Sequence, residues 1–295
     1  MSDKVVKCNR NKTAKAEKEK VMKKILTLII SAILCVGCTL GLVACGDDKP
    51  TLQVYTNAGF APYEYVNENG EVVGIDIDIM QEIGEVLGYN VVINDIEFGL
   101  IMEEVGKDVL AVGAAGMTKT KDRDEAALAS SVYATSVQYV IAPKGSLDSV
   151  VVEGKVALSE LAGKKIGVQQ ATTGDFMVSD AISGTEDDNG NHVKGALEDT
   201  NATITQYSNA IIASDDIGSA LDVVVIDKLP AQSIAGADAE NLQAYELAEE
   251  PESYVLYFNK GATELVAKVN AVLDTMIAKG VIDFYTLKHS GGIVG

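Results

Sequence analysis

The feature that most limits the possible fold is the regular alternation of strands and helices that begins at residue 51. Alternating residues 52–55 predict a strand, and residues 67–70 predict a hairpin turn, because their Asn-Gly pair supplies the positive φ angles of a tight turn. Asp78 is then predicted to cap a helix that Gly88 ends. The apolar residues of this helix are Ile79, Ile83, Val86 and Leu87.

The same order recurs along the rest of the chain. Further strands are predicted at residues 90–94, 109–114, 137–142, 165–168, 222–226, 242–247 and 254–258. Further helices are predicted near 100–105, after Thr120, from Gly174, from Lys228 and at 263–279. This alternation indicates an α/β protein with mostly parallel sheets covered by helices, in which ligands bind at the carboxyl ends of strands. A body of about 250 residues favours two lobes over one.

Charge is distributed very unevenly along the 295 residues. Residues 1–24 contain nine Lys/Arg against three Asp/Glu, whereas residues 45–295 contain 15 against 40. A body this acidic repels phosphate backbones, and it shows no local basic patch. Nucleic acid is therefore excluded as a predicted partner.

The first 45 residues have the pattern of an export signal. Three lysines precede an uncharged run at 25–44, and the run ends in Leu-Val-Ala-Cys45-Gly, which resembles the bacterial lipoprotein lipobox. We expect a lipoprotein signal peptide at 1–44, acylation of Cys45 as a membrane anchor, and a tether at 45–50. The alternative is a transmembrane helix, since about 20 apolar residues can span a bilayer. Both alternatives place the body outside the cytoplasm.

The body has no recognisable catalytic or metal-binding motif. All four cysteines lie in the first 45 residues, and the two histidines, His192 and His289, lie in a predicted loop and near the C-terminus. Residues 183–200 are polar but out of register for an EF-hand, so they predict a surface loop. The sequence therefore predicts no cofactor, no metal and no enzymatic activity.

Arg123 is the most informative single residue, because it is the only arginine among the 15 Lys/Arg of residues 45–295. A lone arginine suggests a role that needs the planar, bidentate guanidinium, which matches a carboxylate as an ammonium cannot. The alternative is a surface arginine without a role.

Four segments together resemble the extracellular solute-binding proteins of polar amino-acid ABC importers, which have the type II periplasmic-binding-protein fold. The segments are residues 57–65 (NAGFAPYEY), 74–78 (GIDID), 116–123 (GMTKTKDR) and 223–230 (VVVIDKLP). The resemblance implies a two-lobed clamp with a ligand in the cleft. Lobe 1 would comprise 51–137 plus 251–290, and lobe 2 would comprise 138–250, joined by two hinge crossings.

The resemblance also implies roles for individual residues. Arg123 would hold the α-carboxylate of an amino acid, with help from Thr118, Gly116 and, from the second lobe, Thr172 and Thr173. Asp227 would take the α-ammonium. Phe60 and Phe98 would sandwich the ligand side chain and Asn57 would face its distal end, where an uncharged residue argues mildly against a cationic ligand. Implied partners are an ABC permease and its ATPase subunits, with the receptor itself a monomer.

Several alternatives stay open at this point. One alternative is that Asp227 serves as the cap of the following helix and has no contact with a ligand. Phe98 could be a core residue. Asp76 and Asp78 are more typical of a helix cap or a strand end than of a ligand site. The same scaffold resembles cyclohexadienyl dehydratases and ligand-sensing modules. The sequence also departs from the family pattern at Ala111, where an Asp is usual, and at residues 129–133 (ASSVY), which leaves the local register open.

Overall fold

The computed structural model describes residues 49–291. The strands of this part of the chain are β1 (Thr51–Thr56), β2 (Gly59–Phe60), β3 (Glu64–Val66), β4 (Val72–Val73), β5 (Asn90–Asp95), β6 (Ala111–Gly113), β7 (Leu128–Ala129), β8 (Ala134–Ser136), β9 (Gln138–Pro143), β10 (Lys155–Val156), β11 (Lys165–Gln169), β12 (Thr185–Glu186), β13 (His192–Val193), β14 (Thr203–Tyr207), β15 (Val223–Asp227), β16 (Leu242–Leu247), β17 (Glu252–Tyr254) and β18 (Tyr257–Phe258). The α-helices are α1 (Ile75–Leu87), α2 (Ile101–Lys107), α3 (Lys121–Ala126), α4 (Thr173–Ser183), α5 (Ala210–Asp215), α6 (Lys228–Ala237), α7 (Thr263–Ala278) and α8 (Val281–His289). Short 3-10 helices cover Phe98–Leu100, Asp148–Val150 and Leu158–Leu161.

The first sheet has the strand order β5-β1-β6-β18-β7. Strands β5, β1 and β6 are parallel, with Thr51 opposite Asn90 and Gln53 opposite Ala111, whereas β18 runs antiparallel to both β6 and β7. The parallel strands end at one edge of the sheet, so the loops that follow them meet there. These loops carry Asn57, Phe98 and Gly116.

The second sheet has the order β10-β16-β9-β15-β11-β14. Strands β14, β11 and β15 are parallel, and β9 runs antiparallel between β15 and β16. The carboxyl ends of β11 and β15 lead into α4 and α6, which places Gln169 and Asp227 at the same edge. Both sheets are mixed, which refines the prediction of mostly parallel sheets within the correct α/β class.

The chain passes between the two sheets twice. One passage runs from β7 to β9 through β8, and the other runs from β16 to β18 through β17. Strands β8 and β17 pair with each other as an antiparallel ribbon, with Glu252 opposite Ser136. The two passages are therefore hydrogen-bonded to each other where they cross.

Apolar side chains from helices and strands form the core of each sheet. Against the first sheet, α1 and α7 bury Ile79, Ile83, Val269, Leu273 and Met276. Against the second sheet, α4 contributes the fully buried Val178, which packs in a cluster with Ile166 and Val168 of β11. A second, larger cluster continues from the first sheet, at Leu52 and Val54, to the other face of the second sheet, at Val224 and Ile226.

The start of α1 differs from the prediction. The helix begins at Ile75 with Gly74 as its N-cap, and Asp78 lies inside the first turn. The first amide groups of the helix, Ile75 N and Asp76 N, donate to backbone carbonyls of the preceding hairpin, so no side-chain cap is needed. Gly74 is required there because a Cβ would lie 2.0 Å from the Tyr63 carbonyl oxygen.

Other elements were not predicted or were predicted too long. The expected strand at 254–258 is two strands, β17 and β18, because they pair with different partners. Helices α5 and α8 and strand β14 were missed, and the predicted surface loop at 183–200 contains the exposed ribbon of β12 and β13. Ala111, which stands where the family usually has Asp, is fully buried and pairs in regular register with Gln53. The strand therefore accommodates alanine at this position.

The predicted signal peptide at 1–44, Cys45 and most of the tether at 45–50 lie outside the described residues. Between Lys49 and Gly291, the structure contains no helix that is both long and apolar enough to cross a bilayer. The same residues contain no group of three or more His, Cys, Asp or Glu side chains arranged to hold a metal ion.

Candidate functional site

A narrow cavity lies between the carboxyl edges of the two sheets. All nine residues predicted to contact a ligand line it, together with three residues that the prediction missed. The full lining is Asn57, Phe60, Glu64, Phe98, Ala115, Gly116, Thr118, Arg123, Gln169, Thr172, Thr173 and Asp227. The structure therefore brings the predicted set together, while the role of each residue stays a prediction.

Arg123 enters the cavity from the short helix α3, whose N-cap Thr120 accepts a hydrogen bond from the Arg123 amide. Its guanidinium donates to the carbonyl of Thr118 at 2.9 Å and to that of Ala171 at 3.3 Å. Burial lowers the pKa of Arg123 from its usual value. Within residues 49–291 no carboxylate oxygen lies within 4.0 Å of the guanidinium. The site thus presents a largely buried cation that has carbonyl partners but no anion.

Asp227 ends β15 and stands at the N-cap position of α6, but its side chain makes no capping hydrogen bond. Instead its Oδ1 accepts from the Tyr254 hydroxyl at 2.7 Å. Burial, followed by the nearby negative charge of Glu252, raises the pKa of Asp227 well above its usual value. The alternative in which Asp227 is only a helix cap is therefore wrong, and the carboxyl group is available to the cavity.

Thr172 and Thr173 lie at the N-terminus of α4. Thr172 is the N-cap, and its hydroxyl accepts from the Asp175 amide at 3.3 Å and donates to the Gln169 carbonyl at 2.7 Å. The Thr173 hydroxyl instead points to Glu252, with 2.8 Å between the oxygens. The two neighbouring threonines therefore have different roles: Thr172 caps α4, and Thr173 hydrogen-bonds to the side chain of Glu252.

Phe60 and Phe98 supply the aromatic part of the lining. Phe60 packs against Gly116, where a Cβ would lie 2.6 Å from the phenylalanine ring. Gly116 also has φ +54°, a conformation that glycine adopts without strain. Phe98 is half-buried beside the cluster around Ile101 and also lines the cavity, so the core and lining interpretations both hold for it.

Glu64 and Gln169 were not among the predicted ligand contacts. Glu64 is 1% exposed, and neither its Oε2 nor the Oε1 of Gln169 has a hydrogen-bond partner among the described residues. Burial and the nearby negative charges of Asp76 and Asp227 raise the pKa of Glu64 well above its usual value. The signal for Glu64 was its hairpin register, since it pairs directly with Phe60. Two unsatisfied acceptors therefore face the cavity.

Glu252 was also missed, and it joins several lining residues. Its Oε2 accepts from the hydroxyls of Thr118 at 2.5 Å and Thr173 at 2.8 Å, and its Oε1 accepts from Gln138 Nε2 at 2.6 Å. These partners lie far apart in the sequence, so no local pattern could have predicted the contacts.

Asp76 supports the site from behind. It is fully buried, and it accepts from the Gly116 amide and from the Tyr133 hydroxyl, both at 2.8 Å. Burial raises the pKa of Asp76 to about 6, although both hydrogen bonds lower it.

Asp78 points away from the cavity and pairs with Lys288 and His289. Neither aspartate lines the cavity, in agreement with the sequence interpretation.

Comparisons with known proteins agree with this geometry. The sequence model of the family described as "Bacterial extracellular solute-binding proteins, family 3" matches residues 52–291. The chain is 29% identical over 155 residues to the arginine-binding extracellular protein ArtP of Bacillus subtilis, a match that covers 50% of this chain and 56% of ArtP. It is 25% identical to a probable histidine-binding protein of Neisseria gonorrhoeae, with 88% of this chain and 94% of that protein covered.

Solved structures show the same fold. A structure of an ancestral arginine-binding protein bound to arginine superposes with a TM-score of 0.69 at 27% identity. The superposition covers 82% of this chain and 98% of the ancestral protein.

Proposed function

Because the chain belongs to the bacterial extracellular solute-binding proteins of family 3, we propose that it captures a free amino acid outside the cell and delivers it to the permease of an ABC importer. One observation carries this proposal: Arg123 and Asp227, which follow strands of different sheets, face the same cavity. The ligand contacts of the lining residues are part of the proposal.

A guanidinium on one side of the cavity and a carboxyl group on the other suit the two charged groups of an amino acid. An amino acid that leaves water loses the hydration of an ammonium and a carboxylate, so both must meet charged partners with good hydrogen bonds. Such bonds contribute about 1.5–3 kcal/mol each, and a micromolar complex needs about 8 kcal/mol. Arg123 for the carboxylate and Asp227 for the ammonium supply much of that, and aromatic contact with Phe60 and Phe98 supplies more.

We further propose that the preferred ligand has a cationic side chain, with arginine as the first candidate. Glu64 and Gln169 offer unsatisfied acceptors to the cavity, and a guanidinium offers five donors. Asn57, which suggested a neutral ligand, donates to the Ile96 carbonyl and accepts from Gln169, so its amide is already in use. The arginine-binding and histidine-binding names of the relatives support the same class.

The two sheets correspond in this proposal to two lobes, with lobe 1 formed by residues 51–137 plus 251–290 and lobe 2 by 138–250. The ribbon of β8 and β17 would be the hinge, because both passages between the sheets run through it. Closure of the lobes would bring Arg123 and Asp227 onto the ligand together. The protein would act as a monomer with respect to ligand binding.

The proposed location is the outer face of the cell membrane, with acylated Cys45 as the anchor. Family membership supports an extracytoplasmic site of action, and the lipobox-like sequence before Cys45 supports the anchor. Metabolic labelling with a fatty-acid analogue tests it: the wild-type protein should be labelled and Cys45→Ser should not. Equal labelling of the two proteins contradicts the anchor.

The function itself is tested by a thermal-shift screen of residues 49–291 against the proteinogenic amino acids, followed by calorimetry. We expect L-arginine to stabilise the protein and to bind with micromolar or lower Kd. Stabilisation by no amino acid would overturn the proposal. If only neutral amino acids bind, the proposal of a cationic ligand is wrong, but the proposal of an amino-acid receptor is not. The proposal includes no chemical step, so turnover of prephenate or arogenate would contradict it.

A further inference from the structure

Glu252 is a half-buried carboxylate at the start of β17, on the passage between the two sheets. It hydrogen-bonds to side chains that belong to different parts of the fold: Thr118 follows the first sheet, whereas Gln138 and Thr173 belong to the second. Nothing in the proposed function assigns Glu252 a role. Its contacts nevertheless involve two of the lining residues directly.

The direction of these hydrogen bonds follows from chemistry. An ionised carboxylate can only accept, and a threonine hydroxyl has a single proton. Burial tends to raise the pKa of Glu252, but hydrogen bonds from Asp227, Thr118, Gln138 and Thr173 outweigh it, and the net pKa is lowered. The carboxylate is therefore ionised at neutral pH, and both threonines donate their protons to it. The Thr173 oxygen also accepts from Gln138 Nε2 at 3.4 Å, which leaves it one further lone pair.

We propose that Glu252 is a positioning residue of the amino-acid site, which fixes the hydroxyls of Thr118 and Thr173 as acceptors for the α-ammonium of the ligand. This inference rests on the proposed function. It reassigns both hydroxyls, which the sequence resemblance gave to the α-carboxylate. The carboxylate is left to Arg123 and to backbone amides at the N-terminus of α4, which suit an anion.

The count of donors and acceptors supports this arrangement. An α-ammonium has three N–H groups and needs three acceptors. The oxygens of Thr118 and Thr173 lie 3.4 Å apart, and Asp227 lines the same cavity. Two hydroxyl oxygens and the carboxyl group of Asp227 thus match three N–H groups, provided that the hydroxyl protons point to Glu252.

The test compares two ligands that differ only in the ammonium: L-arginine and 5-guanidinopentanoic acid. Calorimetry gives the Kd of each for the wild-type protein, for Glu252→Gln and for Glu250→Gln. The last is a matched control, because it removes the same charge from an exposed position on the same passage. A glutamine at 252 can donate to one of the hydroxyls and so release its proton.

We expect the preference for arginine over the ammonium-free analogue to fall about tenfold in Glu252→Gln and to stay unchanged in Glu250→Gln. A purely structural role would weaken both ligands by the same factor and leave the preference unchanged, which would overturn the inference. Tighter binding of arginine by Glu252→Gln would also overturn it, since the carboxylate would then be competing with the ligand.

Two further outcomes separate this inference from the proposed function. If the wild-type protein binds no amino acid, both are wrong. If it binds arginine and the preference is unchanged in Glu252→Gln, only the positioning role is wrong. Should Glu252→Gln fail to fold, Thr173→Val removes one acceptor while keeping the side-chain shape, and it must lower the same preference.

Discussion

The guanidinium of Arg123 lies over the ring of Phe98, with its Cζ 5.3 Å from the ring centroid. Cation–π contact of this kind holds the plane of a guanidinium as well as its position. The two carbonyl contacts of the same group, to Thr118 and Ala171, use donors on its Nη1 and Nη2 atoms. Arg123 is therefore held by an aromatic face and by two backbone segments, which explains why a planar cation is needed here.

Arg123→Lys keeps the charge but loses the planar, bidentate group. We expect the affinity for the preferred amino acid to fall roughly 100-fold, since hydrogen bonds to charged groups contribute about 1.5–3 kcal/mol each. Calorimetry measures this directly. Lys121→Ala on the same helix is the control, because that side chain is 88% exposed. Affinity within a factor of two of wild type for Arg123→Lys would rule out carboxylate binding by Arg123.

Glu64→Gln tests the cationic side chain of the ligand. A glutamine keeps the shape of Glu64 but cannot ionise, so it cannot compensate a guanidinium. We expect L-arginine to bind about tenfold more weakly, and any binding of L-glutamine to be unaffected or strengthened. Competition calorimetry with both ligands gives the comparison, and the exposed Glu71→Gln in the same hairpin is the control. Unchanged arginine affinity would show that the cation does not reach Glu64.

The raised pKa of Asp76 should make the stability of the protein depend on pH. The pKa of its buried carboxyl is raised to about 6, whereas an unfolded aspartate titrates at about 3.9. Between these values the folded protein keeps a proton that the unfolded chain has lost. This group therefore makes the free energy of unfolding fall as the pH rises from about 4 to about 6, by about 3 kcal/mol in total.

Asp76→Asn removes that contribution while keeping a polar side chain for Gly116 and Tyr133. The variant and the wild type can differ in free energy of unfolding already at pH 4. From pH 4 to pH 7 we expect this difference to change by about 3 kcal/mol in favour of Asp76→Asn. Urea denaturation at several pH values measures it. Asp122→Asn, which removes a carboxyl group from an exposed position, is the control. A difference that is constant with pH would mean that the pKa of Asp76 is not raised.

The sequence predicted those parts of the fold and site that local patterns encode. The Asn-Gly turn, the apolar face of α1 and the strand before Asp227 are all set by neighbouring residues. The helix start at Gly74 was not predictable in this way, because its amide groups bond to carbonyls of the preceding hairpin. Glu252 was missed for a similar reason: its partners Thr118 and Thr173 are 134 and 79 residues away.

Gly116 provides a last test, because it combines a backbone requirement with a close contact. Its φ is +54°, and a Cβ would meet the ring of Phe60 at 2.6 Å. Gly70 has a φ of +78°, but a Cβ added there would meet no described atom within 4 Å, so Gly70→Ala reports the backbone strain alone. That strain is about 1–2 kcal/mol for an alanine in the left-handed region.

We expect Gly70→Ala to lose about 1 kcal/mol of unfolding free energy and to bind amino acids as the wild type does. Gly116→Ala should lose about 1–3 kcal/mol more, since an overpacked contact must be relieved, and it should bind at least tenfold more weakly because the ring of Phe60 is displaced from the cavity. Urea denaturation and calorimetry on the same samples separate the two effects. Equal stability and equal affinity for both variants would show that Phe60 does not depend on the missing side chain at position 116.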